Sequence, residues 1–301
     1  MNRRTKAHLA VLGANFIFGA NFSVVKYITP SAIQPLALNV VRILVTTILF
    51  WIFFAFKPGR MEVTRKDVLR FIICGAAGVA LNQLFFIKGL SLTTSIHAAL
   101  LMLATPIFIT FIAAWILKEK LNLVKFLGLA LGIGGAVNLI IQKDSLQSAS
   151  DIIRGDIFVL LNAILYGFYL VMVRPLMEKY TALQVIPWIF TIGLFIILPI
   201  GWKEFATTNW QAIEPGHWAA ISFVVFAATF FSYLFNIYGV SVLGASATGA
   251  YIYTQPVFAA IIAMIFMGEE FTLSKAFSAL LIFTGVYLAN FKSSKVGVIE
   301  E

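Results

Sequence analysis

The chain contains one unit twice. The stretch from Leu84 to Leu139 aligns without a gap with the residues 150 positions later. This shift superposes Pro106 on Pro256, Glu119 on Glu269, Lys125 on Lys275, Gly89 on Gly239 and Gly135 on Gly285. Shared apolar composition does not align a proline, a glutamate, a lysine and two glycines. We therefore interpret the chain as an internal repeat, which constrains the fold more than any single motif.

Each copy carries five apolar segments that are long enough to cross a bilayer, which takes roughly 20 residues per helix. Only 12% of the residues are charged, about half the usual share of a soluble domain. We predict spans at residues 7–26, 34–56, 68–90, 94–117, 122–141, 155–175, 183–202, 217–241, 246–267 and 272–291. The expected fold class is an all-α integral membrane protein with ten transmembrane helices and no soluble domain.

The predicted organisation is a first repeat at residues 7–141, a polar linker at 142–154, a second repeat at 155–291 and a tail at 292–301. An odd number of spans per repeat inverts the second copy in the membrane, which is a transporter design. With both termini in the cytoplasm, 15 of the 22 basic residues lie on the cytoplasmic side. The positive-inside rule favours this orientation.

Composition argues against several classes of protein. The one cysteine, Cys74, lies within a predicted span, so neither a disulfide framework nor a Cys/His metal site is expected. The net charge of +9 comes from basic residues in short loops between spans. That placement is typical of membrane orientation, and we expect no nucleic-acid partner and no cofactor.

The chain resembles the drug/metabolite transporter superfamily, specifically the ten-helix proteins with two EamA-type domains. The residues that carry the resemblance are Phe18 to Phe22, Lys26, Arg42, Gly89-Leu90, Pro106, Glu119 and the glycines of span 5, followed by Tyr166-Gly167, Gly239-Val240, Pro256, Glu269 and Gly285. The chain departs from a full repeat in two places, because the position matching Arg42 in the second half is Phe190 and span 6 has no lysine matching Lys26. The resemblance implies a central cavity lined by spans 1, 3, 4, 6, 8 and 9, with spans 5 and 10 at the periphery.

Polar side chains concentrate in those cavity spans. Polar groups within a bilayer face protein or water, either as contacts between helices or as a binding site. Our candidates for substrate binding are Asn15, Asn21, Asn82, Gln83, His97, Tyr166, Tyr169, Asn236, Tyr251 and Gln255. For each amide in this set, bonding to a neighbouring helix stays as an alternative to substrate contact.

A second set of residues is predicted to shape or gate the protein. It comprises Arg42, Lys88, Pro106, Glu119, Pro256 and Glu269. The prolines break the helical hydrogen bonding of spans 4 and 9. The two glutamates are expected to cap the first turn of the span that follows each of them. Lys88 flanks the turn between spans 3 and 4, at the implied cavity mouth.

Arg42 is the one charge fully inside a predicted span, and it needs partners within the bundle. It bonds either to structural oxygens or to a substrate carboxylate. Asp156 is the acid closest to a span interior, at the edge of span 6. Since intramembrane acids are typical of proton relays, this pattern favours a facilitator, an exchanger or a carrier driven by substrate charge.

The predicted function is secondary transport of a small organic metabolite by alternating access, as an exporter of amino acids or related compounds. The location expected is a bacterial-type inner membrane, with the lipid bilayer and a small-molecule substrate as partners. A monomer is expected, with a homodimer through the glycines of span 5 as an alternative. A lipid or lipid-precursor flippase is the nearest rival function, followed by a membrane sensor. An enzyme is not expected, because no intramembrane carboxylate pair, His cluster or catalytic loop is visible.

Overall fold

The computed structural model describes residues 2–55, 63–116, 123–141, 149–243, 248 and 251–289. All regular structure within them is helical. The helices are α1 (Arg3–Ile28), α2 (Pro35–Ala55), α3 (Arg65–Leu92), α4 (Ser95–Met102 and Thr105–Ile116), α5 (Leu123–Ile140), α6 (Ala149–Met177), α7 (Ala182–Thr207), α8 (Pro215–Leu243), α9 (Tyr251–Phe266) and α10 (Leu273–Ala289). These ten helices follow the predicted spans in order.

The apolar helices make this a multi-pass membrane protein. Eight of them, α1 to α8, are long and apolar enough to cross a membrane, and α9 and α10 are shorter apolar helices. Large apolar side chains cover the outside of the bundle, among them Leu273 at 91% exposure, Phe266 at 76% and Trp115 at 75%. Lipid is the environment in which such a surface is stable.

The start of α6 changes the predicted linker. Because α6 begins at Ala149, residues 149–154 of that segment are helical. Residues 142–148 and the tail at 292–301 lie outside the described residues.

The two repeats pack against each other helix by helix. In the core, α2 packs on α7 and α5 on α10, while α1 packs on α8 and α9, and α6 packs on α3 and α4. Exchanging each helix for its repeat equivalent reproduces this set of contacts. The described helices therefore make equivalent contacts in the two repeats.

Glycines in the repeat allow the closest of these contacts. A Cβ added at Gly135 would lie 2.8 Å from the Ile282 side chain, and one at Gly285 would lie 2.5 Å from the Gly132 backbone nitrogen. Since both distances are too short for a real Cβ, α5 and α10 can approach this closely only with glycine there. Gly132 and Gly135 of span 5 thus serve a contact within this chain.

Four helices depart from regular α-helical geometry at equivalent points of the two repeats. Ala76–Ala80 in α3 and Phe223–Phe231 in α8 are π-helical. The second segment of α4 starts one residue before Pro106, and a 3₁₀ turn, Tyr251–Thr254, leads up to Pro256 in α9. Helix irregularities of this kind are frequent at functional sites.

Candidate functional site

A cavity of about 260 Å³ lies between the repeats. Its described wall comes from α1, α3, α4, α6, α8 and α9, the helices implied by the resemblance, and from α2 through Arg42. The polar residues of the wall are Asn15, Asn21, Arg42, Asn82, Gln83, Thr105, Asn162, Tyr166, Tyr233, Asn236 and Gln255. The volume is close to the lower end of small-molecule pockets, which span roughly 300–1,000 Å³.

Pro106 and Pro256 both line this cavity. Pro106 cannot donate to the Met102 carbonyl one turn earlier. That carbonyl instead accepts a hydrogen bond from Thr105 Oγ1 at 2.7 Å. In α9, Thr254 Oγ1 donates to the Tyr251 carbonyl, also at 2.7 Å. Thr105 thus bonds the carbonyl that Pro106 leaves free, whereas Thr254 bonds within the 3₁₀ turn that precedes Pro256.

Some cavity amides connect helices. Gln255 Nε2 on α9 donates to Asn15 Oδ1 on α1 at 2.7 Å. Between α3 and α6, Asn82 Nδ2 donates to the Asn162 carbonyl at 3.1 Å and Asn162 Nδ2 donates to the Asn82 carbonyl at 2.9 Å. These four residues join the two repeats and also border the cavity, so contact between helices and substrate binding are not exclusive here.

Three amides of the cavity, Asn162 among them, have an oxygen that accepts no hydrogen bond from the described residues. Asn21 Oδ1, Gln83 Oε1 and Asn162 Oδ1 are buried and have no hydrogen-bond partner among the described residues. Most buried polar side-chain atoms in proteins are bonded. Three acceptors without a described donor in one wall are therefore an exception to this pattern.

Arg42 reaches the cavity from α2. It is 4% exposed, and its Nε donates to Thr229 Oγ1 on α8 at 2.7 Å. Thr229 in turn donates its hydroxyl hydrogen to the Val224 carbonyl at 2.8 Å, within the π-helical segment. Arg42 Nη1 is buried without a partner in the described part of the chain. Both alternatives predicted for Arg42 therefore stay open, because one nitrogen is bonded structurally and another is not.

Aromatic rings form much of the apolar wall. Phe18, Phe22, Phe86, Tyr166 and Tyr233 all line the cavity. Tyr169, predicted beside them, is not in the described wall. It packs on the π-helical segment of α3, where a Cβ at Gly78 would lie 2.4 Å from the Tyr169 ring. Its position therefore points to packing, because that glycine leaves room for the ring.

One end of the bundle, which we call the Glu269 end, holds a network between the repeats. Glu269 Oε1 and Oε2 accept hydrogen bonds from the backbone nitrogens of Ser95 and Ile96 at 2.7 and 2.8 Å. Glu269 is thus a helix cap, as predicted, but it caps α4 of the first repeat. The prediction that Glu269 caps the following helix, α10, is wrong. The carboxylate instead bonds the free backbone N–H groups at the start of α4, which lie close to it although they belong to the other repeat.

His97 belongs to this end of the bundle and is not in the described cavity wall. Its Nδ1 lies 3.0 Å from Asp156 Oδ2 on α6, and both side chains are fully buried. Thr93 Oγ1 donates to the other carboxylate oxygen of Asp156. Asp156, placed by the sequence at the edge of a span, is therefore a buried connection between the repeats. Lys88, also predicted at this end, is half-buried.

The opposite end of the bundle, the Asp67 end, has its own polar contacts. Lys179 Nζ donates to Asp67 Oδ1 at 3.0 Å, and the Tyr180 hydroxyl donates to Asp67 Oδ2 at 3.0 Å. Tyr251, a predicted substrate contact, lies at this side of α9 with its hydroxyl 2.8 Å from His8 Nδ1. It is not among the described lining residues. Glu119, the repeat equivalent of Glu269, lies outside the described residues.

Sequence reasoning missed two partners of the cavity. Thr229 positions Arg42, and Tyr233 contributes a ring to the wall. Tyr233 is the repeat equivalent of Gln83, and Thr229 lies three positions before Ser232, the repeat equivalent of Asn82. Extending the repeat comparison to neighbours of the predicted residues would have pointed to both.

Comparison with known proteins agrees with this architecture. A sequence profile of the EamA-like transporter family matches residues 5–141 and again residues 153–291. The uncharacterised transporter YyaM of Bacillus subtilis is 25% identical over 94% of this chain and 93% of its own length. An uncharacterised transporter of Archaeoglobus fulgidus is 25% identical over 96% of this chain and 98% of its own.

Two further comparisons bear on function and fold. A probable terminal-alkyne amino-acid exporter of Streptantibioticus cattleyicolor is 26% identical over 71% of each chain. A solved crystal structure superposes with a TM-score of 0.61 at 15% identity, over 95% of this chain and 96% of that one. At that identity, the structural likeness shows the fold alone.

Proposed function

Because this chain belongs to the EamA-like transporter family, we propose that it is a secondary transporter that moves a small organic metabolite by alternating access around the central cavity. The observation that carries this proposal is the cavity itself, whose wall is contributed by both repeats. A site shared by two similar halves can open to either side when the halves move against each other. Family and relatives point to transport and away from catalysis.

We infer an inverted arrangement of the repeats, with both termini in the cytoplasm. Contacts between helix ends support this arrangement, because each contact joins two segments that the predicted topology places on the same side of the membrane. Glu204 at the end of α7 accepts from the Leu36 nitrogen at the start of α2, and Glu269 accepts from Ser95 and Ile96. The excess of lysine and arginine in the other set of loops assigns the Asp67 end to the cytoplasm.

The chemistry of the cavity favours amino acids or related compounds as substrates. A wall of aromatic rings with a few amides suits a small solute that has an apolar part and a polar part. The amino-acid exporter among the relatives supports this class and an outward direction. A bacterial-type inner membrane is the location proposed, with a monomer as the transporting unit.

Counterflow in proteoliposomes tests the proposal. Purified protein would be reconstituted into vesicles loaded in turn with unlabelled amino acids, nucleosides or sugar phosphates, and uptake of the same labelled solute would be followed. Saturable exchange of one solute class is the expected result. Absence of exchange for all classes, in correctly inserted and folded protein, would contradict transport of a small soluble metabolite and favour a lipid substrate.

A further inference from the structure

Two buried titratable side chains at the Glu269 end take no part in the cavity. His97 on α4 and Asp156 on α6 are both fully buried, and Nδ1 of the imidazole lies 3.0 Å from Oδ2 of the carboxylate. Thr93 donates to the other carboxylate oxygen. His97 belongs to the first repeat and Asp156 to the second, so the pair stays together only while the repeats are in contact at this end.

Backbone contact between the repeats seals this pair from water. A Cβ added at Gly155, next to Asp156, would lie 2.6 Å from the Thr93 backbone nitrogen and 2.8 Å from the Gly89 carbonyl oxygen. Both distances are too short for a real Cβ, so α6 meets the end of α3 backbone to backbone. Neither His97 nor Asp156 is among the described residues of the cavity wall. Water therefore reaches the pair when the repeats separate at this end.

The buried charge of Asp156 requires a cation, and His97 is the one described basic side chain within ion-pair distance of it. A carboxyl group that accepts hydrogen bonds on both oxygens is ionised, and a buried charge is costly unless it is paired. An imidazole in water changes its charge at about pH 6.5. A proton on His97 makes the closed pair neutral, whereas loss of that proton leaves a buried negative charge.

Charged side chains on the neighbouring elements also lie at this end. They are Lys26 on α1, Lys88 on α3, Asp151 and Arg154 on α6, Glu269 after α9 and Lys275 on α10. Lys26 interacts electrostatically with Glu269. Asp151 and Arg154 lie 4.0 Å apart and are exposed. Since these charges have other surroundings, the pairing of Asp156 depends on the proton of the histidine beside it.

The pair is confined to one end of the bundle. The position that matches His97 under the repeat shift is Ala247. The position that matches Asp156 is Lys6. The repeats thus share the prolines and glycines that shape their helices, but they do not share this titratable pair. In the inverted arrangement inferred above, equivalent positions face opposite sides of the membrane, so a group present in one copy responds to one side.

We propose that the His97–Asp156 pair is a regulatory proton site, through which the pH on the Glu269 side of the membrane controls how readily this end opens. A proton on His97 is held while this end is closed. When the repeats separate, water solvates both side chains and the imidazolium gives its proton to the solvent. Because the closed state binds this proton more tightly, acid favours the closed end and alkali favours the open end.

The site regulates transport and does not drive it. Since the pair lies outside the described cavity wall, the proton returns to the side of the membrane from which it came. The inference rests on the proposed alternating access, because it assigns to pH an effect on one of the two openings.

Thiol labelling tests the inference without a transported solute. In a Cys74→Ala background, Ser95→Cys places a thiol at a fully buried position beside the pair, where a membrane-impermeant maleimide reacts when this end opens. Its labelling rate in proteoliposomes would be divided by that of Ser31→Cys, an exposed position of the same end. This ratio removes the effect of pH on thiol reactivity.

We expect the labelling ratio to rise with pH. Between about pH 6 and about pH 8.5, a range in which imidazole loses its proton and carboxylates stay ionised, the rise should be at least about 5-fold, the lower end of typical coupling between two sites. A ratio that does not change with pH would overturn the proton site.

Variants identify the titrating group. His97→Gln removes the imidazole, and Asp156→Asn removes the charge that favours its proton, so the labilty of the ratio to pH should be lost in both. His217→Gln, which removes the other histidine of this end, stacked on Tyr27, is the matched control and should keep the full pH dependence. Full dependence in His97→Gln, or its loss in His217→Gln, would overturn the assignment. Asp156→Asn carries the test if His97→Gln does not fold.

A flux measurement separates regulation from proton coupling. Vesicles loaded with the solute that exchanges in counterflow and with a pH indicator would be diluted into solute-free buffer. We expect solute efflux without a change of internal pH, and proton movement that accompanies the solute would overturn a purely regulatory site. Absence of exchange for every solute would contradict the transport function, whereas the labelling ratio decides the proton site independently.

Discussion

Two polar clusters in this protein differ in how their charged groups are bonded by the chain. At the Glu269 end, the carboxylates of Asp156 and Glu269 accept hydrogen bonds on both oxygens, each from the other repeat. In the cavity, Arg42 Nη1 and the amide oxygens of Asn21 and Gln83 have no described partner. The first cluster stabilises one arrangement of the repeats, whereas the second has capacity left for a ligand.

The difference follows from the cost of burying polar groups. A buried donor or acceptor left without a partner costs about 1–3 kcal/mol, and a ligand that bonds such a group removes that cost. At the Glu269 end, every oxygen of the two carboxylates has a hydrogen-bond partner, so these groups carry no such cost. Substitutions there should reduce stability first, and substitutions in the cavity should reduce transport first.

The largest effect on stability is expected for Asp156→Leu. This change removes the acceptor of both Thr93 and His97 in a fully buried place, and we expect a loss of about 3 kcal/mol in the free energy of unfolding. Thermal denaturation in detergent, monitored by circular dichroism, measures it. Asp156→Asn keeps one acceptor and should lose less. Equal stability of Asp156→Leu and the unmodified protein would mean that the hydrogen bonds of Asp156 do not stabilise the fold.

A smaller effect is expected for Glu269→Gln. Glutamine keeps the size and one oxygen acceptor, but loses the second acceptor and the negative charge at the start of α4, which is worth about 0.3–1 kcal/mol at a helix N-terminus. We expect a loss of about 1–2 kcal/mol, measured by the same denaturation experiment. Glu270→Gln, one residue along and exposed, is the matched control. A similar loss in both variants would attribute the effect to net charge at this end.

Asn82→Ala tests a residue with both kinds of contact. It removes one of the two reciprocal hydrogen bonds between α3 and α6 and part of the cavity wall. We expect a stability loss of about 1 kcal/mol together with reduced counterflow in folded protein. Unchanged counterflow would mean that Asn82 serves only the contact between helices.

The smallest stability effect is expected for Pro106→Ala. Thr105 already satisfies the Met102 carbonyl, so alanine adds a donor where none is needed, and the free energy of unfolding should change by less than about 1 kcal/mol. The rate of counterflow should change more than the amount of inserted protein, because the break in α4 shapes the cavity. Loss of membrane insertion would instead make the proline a requirement for folding.

Much of the architecture is predictable because the repeat and the apolar segments are both visible in the amino-acid sequence. The 150-residue shift places Pro106 and Pro256 at equivalent breaks, and the structure has both at the cavity. All six predicted amides line the cavity too, because an amide deep in an apolar span avoids lipid. Depth in the membrane is readable from a sequence in this way.

The direction in which a side chain points is harder to predict. Tyr169 lies only three residues from Tyr166 on α6, yet one ring packs on Gly78 and the other lines the cavity. Glu269 caps α4 and Asp156 binds His97 across the repeat boundary. Such contacts depend on how the two repeats pack together, and this packing cannot be inferred from the residues adjacent in sequence.

Ligand-induced stabilisation would test the contrast between the two clusters most directly. The amino acid that exchanges fastest would be added, at about 100 times its half-saturating concentration, to the unmodified protein, Arg42→Gln and Asp156→Asn. Binding at that excess adds about 2.7 kcal/mol to the folded state. The predicted result is a rise in melting temperature for the unmodified protein and for Asp156→Asn, and a clearly smaller rise for Arg42→Gln. An equal rise in Arg42→Gln, or its loss in Asp156→Asn alone, would contradict the division between a ligand-binding cavity and a structural end.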